Sequence, residues 1–119
     1  MENTTTSAEM DLYKEHAGES WALGLLALPE HMRGGVVRYV LYGIIPGSFL
    51  QSVISGDLFM ALRTADSTNA YALHRYGTFF FNYAPAECFG SPEQMEAWHA
   101  QGGMLKTSHR DTAQERGDA

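Results

Sequence analysis

Proline and glycine cut the middle of this chain into short apolar segments, and that punctuation limits what it can fold into more than any other feature. Pro29 is followed fourteen residues later by Gly43, Pro46 is followed by Gly56, and Ser91-Pro92 is followed by Gly102-Gly103. Proline suits the first turn of a helix, where its missing N–H has no intrahelical partner anyway, and glycine suits the residue just past the last turn. These brackets predict helices over 29–43 and 46–56. A third is expected over 57–65. Asp66 or Ser67 can cap a fourth that runs to about Tyr83 and stops before Pro85, because the residue ahead of a proline disfavours helix. Ser91-Pro92-Glu93-Gln94 opens a fifth with a capping box, and Gly102-Gly103 closes it. Residues 36–45 could be read as a strand, but Arg38 and the flanking breakers favour helix. No internal repeat is visible. The expected fold class is all-α, a compact bundle of about five short helices.

The chain has 119 residues, room for one domain. Three regions are expected: 1–27 as a flexible or partner-docking arm, 28–104 as the helical domain, and 105–119 as a flexible tail. Residues 1–20 are polar and without sustained period. The run Trp-Ala-Leu-Gly-Leu-Leu-Ala-Leu at 21–28 falls short of the ~18 apolar residues of a membrane span, so it should dock on the domain or on a neighbouring subunit. Residues 1–7 carry no basic region of the kind that starts a signal peptide, which makes a cytosolic location the expected one. The net charge of −6 is concentrated at the front, where Glu2, Glu9, Asp11, Glu15 and Glu19 face only Lys14. A basic footprint for nucleic acid is absent. The bases of the helical domain are all arginines: Arg33, Arg38, Arg63 and Arg75. Arginine is the residue best suited to bidentate contact with phosphate or carboxylate.

At 100° per residue the first helix of the domain places Met32, Val36, Val37, Val40 and Leu41 on one face. His31, Gly35, Arg38 and Tyr42 form a stripe on the other. Two readings of that stripe stand side by side: a glycine-lined helix contact with solvated polar ends, or a groove offering a cation and an aromatic ring. The fourth helix behaves similarly, with Ala72, Leu73, Tyr76, Phe79, Phe80 and Tyr83 on the inner face and Tyr71, Arg75, Thr78 and Asn82 opposite. Phe81 makes this helix apolar most of the way round, which points to a homo-oligomer in which a partner chain covers it. Gly47-Ser48 at the start of the second helix is either a plain proline-initiated turn or a set of free amides able to hold an anion.

Catalytic signatures are missing. His16, His31, His74, His99 and His109 lack metal-ligand spacing. The single cysteine, Cys88, allows no internal disulfide and has no adjacent cation to activate it. Ser48 and Ser91 do not lie in a nucleophile elbow. No catalytic residue, metal or cofactor is therefore expected. The candidate ligand-binding set is His31, Arg33, Arg38, Tyr42, Gly47, Ser48, Arg75 and Asn82.

Taken together, Pro29-Glu30-His31-Met32-x-Gly34, Gly43-Ile44-Ile45-Pro46-Gly47-Ser48-Phe49-Leu50, Asn82-Tyr83-Ala84-Pro85 and Gly90-Ser91-Pro92-Glu93 with Trp98 resemble a group of small proteins encoded by tailed bacteriophages and prophages. The likeness spans roughly residues 28–103 and brings no catalytic residues with it. It implies an accessory phage protein, and by analogy a counter-defence role. Two functions then compete: capture of a small phosphate-bearing ligand, such as a nucleotide immune signal, or inhibition of a host defence complex by direct contact through Trp21, the apolar run after it and exposed aromatics.

Overall fold

The computed structural model describes residues 7–106. Among them the chain is entirely helical, with eight α-helices and one 3-10 turn. They are α1 (Ser7–Ala17), α2 (Glu19–Leu25), α3 (Glu30–Tyr42), α4 (Ser48–Ser55), α5 (Leu58–Thr64), α6 (Ser67–Tyr71), α7 (Leu73–Tyr83), the 3-10 turn Ala86–Cys88, and α8 (Pro92–Gln101). The all-α class stands and the count of about five does not. The predicted brackets mark the ends of α3, α4 and α8: Gly43, Gly56 and Gly102 follow their last residues, and the Ser91 hydroxyl accepts from Gln94 N–H at 3.1 Å. Asp57 and Asp66 cap α5 and α6 in the same way.

Two of the additional helices come from the segment expected to be an arm. Residues 1–6 lie outside the described residues, but α1 and α2 belong to the folded unit. Tyr13 is fully buried, and Ala22, Leu25 and Leu28 lie in the core. Met10, Tyr13 and Ala17 recur at helical spacing and pack inward. Gly24 shows how close the fit is, since a Cβ there would lie 2.6 Å from the Tyr83 ring of α7. α2 is therefore seated face-on against α7. The predicted fourth helix is broken in two at Ala72, whose backbone (φ −95°, ψ 8°) leaves the helical region. Across the break the buried Asn69 Oδ1 accepts from the buried Tyr76 hydroxyl at 2.5 Å.

α3 is the axis of the fold. Val36, Val37, Val40 and Leu41 are buried as its periodicity predicts, Met32 is half-buried, and Tyr39 is fully buried as well. The Tyr39 hydroxyl donates to the Cys88 carbonyl at 2.6 Å. The core continues through Phe49, Leu50 and Ile54 of α4, Tyr76, Phe79 and Phe80 of α7, and Met95 and Trp98 of α8. Phe49 and Tyr76 meet edge to face with ring centres 5.1 Å apart, the arrangement aromatic quadrupoles favour. α7's inner face is thus covered within the chain by α2 and α4, while its outer side, on which the expectation of a partner chain rested, stays open among the described residues. Phe81 alone of its phenylalanines points outward.

The C-terminal end of α3 is closed by the end of α8. A helix leaves its last four carbonyls without intrahelical donors. Here Gly43 N–H and Trp98 Nε1–H both donate to the Tyr39 carbonyl, at 2.9 Å each. Met104 N–H reaches the Val40 carbonyl at 2.8 Å and Leu105 N–H the Leu41 carbonyl at 3.0 Å. His99 Nδ1 lies 2.7 Å from the Gly43 carbonyl, which can only accept, so this nitrogen carries the proton. The backbones meet so closely that a Cβ on Gly103 (φ +74°) would lie 2.5 Å from the Gly43 nitrogen and the Leu41 carbonyl oxygen. Leu105, expected to start a loose tail, is consequently tied down and half-buried. Residues 107–119 lie outside the described residues.

Trp98→Phe keeps an aromatic ring but deletes the indole donor and part of the core filling. Chemical denaturation should show a loss of roughly 2 kcal/mol, and thermal melting a fall on the order of 10 °C. A variant that melts with the wild type would show that the indole does not hold α3 to α8.

Candidate functional site

Eight residues were expected to bind ligand, and the structure does not bring them into one place. Arg38, the centre of the α3 stripe, lies under α1. Its Nη1 donates to both carboxylate oxygens of Glu9, at 3.2 and 3.3 Å, and each side chain is only 21% exposed. Arg38 is therefore engaged by α1, and it is neither the solvated end of the first reading nor the open cation of the second. Tyr42 on the same stripe is half-buried and packed against the core. His31, at the far end, points to the cap of α6, with Nε2 3.3 Å from Asp66 Oδ2. The Asn69 N–H, with His31 as a second contributor, holds the Asp66 carboxyl below its usual range.

Gly47 and Ser48 stand exposed at the start of α4. Ser48 borders an open cleft of about 690 Å³ with Ser55, Asp57, Phe59, Pro92 and Met95, and no arginine lines it. Asn82 is exposed on α7. An anion at the α4 amides would therefore meet Asp57 in place of the expected cations.

Arg33 and Arg75 do come together, although they were assigned to separate helices and Arg33 to no stripe. The turn after α2 is tight, with Leu26, Ala27 and Leu28 each donating three residues back. Its own carbonyls are left facing α3 and α7. Arg33 Nε donates to the Leu28 carbonyl at 2.9 Å and its Nη2 to the Leu26 carbonyl at 3.0 Å. Arg75 Nη1 reaches the Ala27 carbonyl from the other side at 3.5 Å. A guanidinium has five N–H donors, so the two short contacts fix the Arg33 fork, the single long one only steers Arg75, and donors are left on each. The forks border a cleft of about 500 Å³ whose walls include Glu30, Thr68 and Tyr71. The Tyr71 ring is 88% exposed. Sequence reasoning placed Tyr71 beside Arg75 but did not count it as a site residue. The carbonyls of 26–28, which position both arginines, have no side-chain signature.

The proposed anchors for a host-protein contact divide: the aromatics Phe59, Tyr71 and Phe81 are exposed, while much of the 21–28 run is not. Trp21 packs against the core and Ala22, Leu25 and Leu28 are buried, leaving Leu23 and Leu26 exposed. Cys88 is fully buried, and burial together with the neighbouring Glu87 pushes its thiol up to about 12. A thiol in that state is not a nucleophile at neutral pH. Among the described residues no group of three or more His, Cys, Asp and Glu could hold a metal ion, and no helix is long and apolar enough to cross a membrane. The chain matches no family model, no curated protein and no solved structure.

The Glu9–Arg38 pair makes a checkable claim about α1. A double-mutant cycle with Glu9→Ala and Arg38→Ala, read by urea unfolding, should give a coupling of about 1 kcal/mol, the upper end for partly exposed pairs. A coupling of zero would return Arg38 to the status of a solvated residue.

Proposed function

We propose that this protein is a non-enzymatic phage accessory protein that captures a small phosphate-bearing ligand, such as a nucleotide immune signal, in the cleft between Arg33 and Arg75. The observation that carries the reading is the convergence of two guanidinium groups, from α3 and α7, on one cleft beside an exposed tyrosine ring. The Arg33 fork is held in advance by two backbone carbonyls, so little of its side-chain freedom is lost when an anion arrives. Planar forks suit phosphate oxygens, and a Tyr71 ring suits the face of a base. Glu30 on the same wall leaves the lining one positive charge in surplus. That favours a monoester or diester phosphate over a long polyphosphate.

The test is to incubate the purified protein with bacterial nucleotide extract, wash, denature, and identify the released compounds by mass spectrometry. Titration calorimetry with the released compound then probes the cleft. Arg75→Ala should weaken binding by roughly ten- to a hundredfold, the value of one charge-assisted contact. Arg75→Lys should recover part of the loss, because a point charge cannot replace the fork. Arg75 makes one long contact to Ala27, so the melting temperature should barely move. An empty eluate, or an Arg75→Ala variant that binds as wild type does, would end the capture reading.

A further inference from the structure

The capture reading leaves α5 without a role, and α5 is the most exposed apolar element of the fold. Leu58 (54%), Phe59 (80%), Met60 (41%) and Leu62 (47%) all face solvent, while Ala61 alone is buried. The helix packs chiefly on α4. At 100° per residue the direction opposite Ala61 is shared by Phe59 and Arg63, four residues apart. Leu58 and Leu62 form one flank of that stripe and Met60 the other. Arg63 has no hydrogen-bond or ion-pair partner among the described residues. Asp57 stands at one end of the helix and Arg63 at the other.

We infer that α5 is a self-association surface on which a second copy of this chain packs its own α5, antiparallel, about a two-fold axis level with Ala61. The stripe is complementary to itself in that arrangement. Phe59 lies over Arg63 of the partner subunit and Arg63 under the partner's Phe59, giving two cation–π contacts. The Leu58–Leu62 flank meets its own copy on one side of the axis and Met60 meets the partner's Met60 on the other. Antiparallel packing sets the Asp57 end of each helix beside the Arg63 end of its mate and opposes the two helix dipoles, whereas a parallel pair would stack like charges. An isologous contact of this kind closes at two subunits. It does not use the Arg33–Arg75 cleft, so it stands or falls separately from ligand capture.

Sedimentation equilibrium of the full chain from about 1 µM to about 500 µM reads the association directly. The mass should rise from 13.2 kDa toward twice that value. Phe59→Asp should raise the dissociation constant at least tenfold, and Leu23→Asp, on the exposed face of α2, should leave it unchanged. Because Phe59→Asp could disturb folding, cross-linking of Met60→Cys with a short bis-maleimide, which spans the interhelix distance that a disulfide cannot, supplies a second readout. Its position on the flank of the contact should yield a covalent dimer far faster than Leu23→Cys does, with native Cys88 buried in both. A monomer throughout the concentration range overturns the inference. So does a dimer that Phe59→Asp leaves intact and that Met60→Cys does not cross-link.

Discussion

The carbonyls at the end of α3 must find donors, and the way they do so sets the rest of the fold. α3 runs through the centre with Val36, Val37, Tyr39, Val40 and Leu41 all buried, so its last turn has no water to fall back on. The donors come from a segment about sixty residues later in the chain: the Trp98 indole, and the amides of Met104 and Leu105. Reaching them requires α8 to end beside α3 and the backbone at Gly103 to touch that at Gly43. With α8 fixed there, Tyr39 can reach Cys88 and Phe49 can reach Tyr76. Burial supplies most of the driving force, but this cap specifies which helices are neighbours.

The candidate site follows from the opposite end of the same helix. α3 begins where the tight turn after α2 ends, and the carbonyls of that turn draw in Arg33 from α3 and Arg75 from α7. The two ends of α3 thus solve the same problem differently. The buried end is satisfied by neutral backbone and indole donors. At the exposed end the carbonyls recruit charged side chains, and the positive cleft is a by-product of capping a turn.

Local rules recovered what is local. Proline and glycine positions marked α3, α4 and α8, and the spacing of Val36, Val37, Val40 and Leu41 marked the buried face of α3. Facts that depend on two distant segments stayed hidden. Nothing in the α3 stripe says that α1 lies across it, so Arg38 was assigned to a ligand when it pairs with Glu9. The polar character of residues 1–20 concealed α1, because Met10, Leu12, Tyr13 and Ala17 are few among its charged residues. Arg33 and Arg75 were each chosen for their chemistry. Their meeting is set by main-chain oxygens, which carry no residue-type signal. Exposed apolar surface was expected on α7 and occurs chiefly on α5, since α2 covers much of α7 and Gly24 lets it approach.

Native-state hydrogen exchange at Met104 and Leu105 tests the central cap most directly. If their N–H groups close the last turn of α3, both should be protected as strongly as the amide of Leu41 and should open only with the whole fold. Exchange of Met104 and Leu105 at open-chain rates while Leu41 stays protected would show that α3 ends without this cap and that the C-terminal segment does not hold the bundle together.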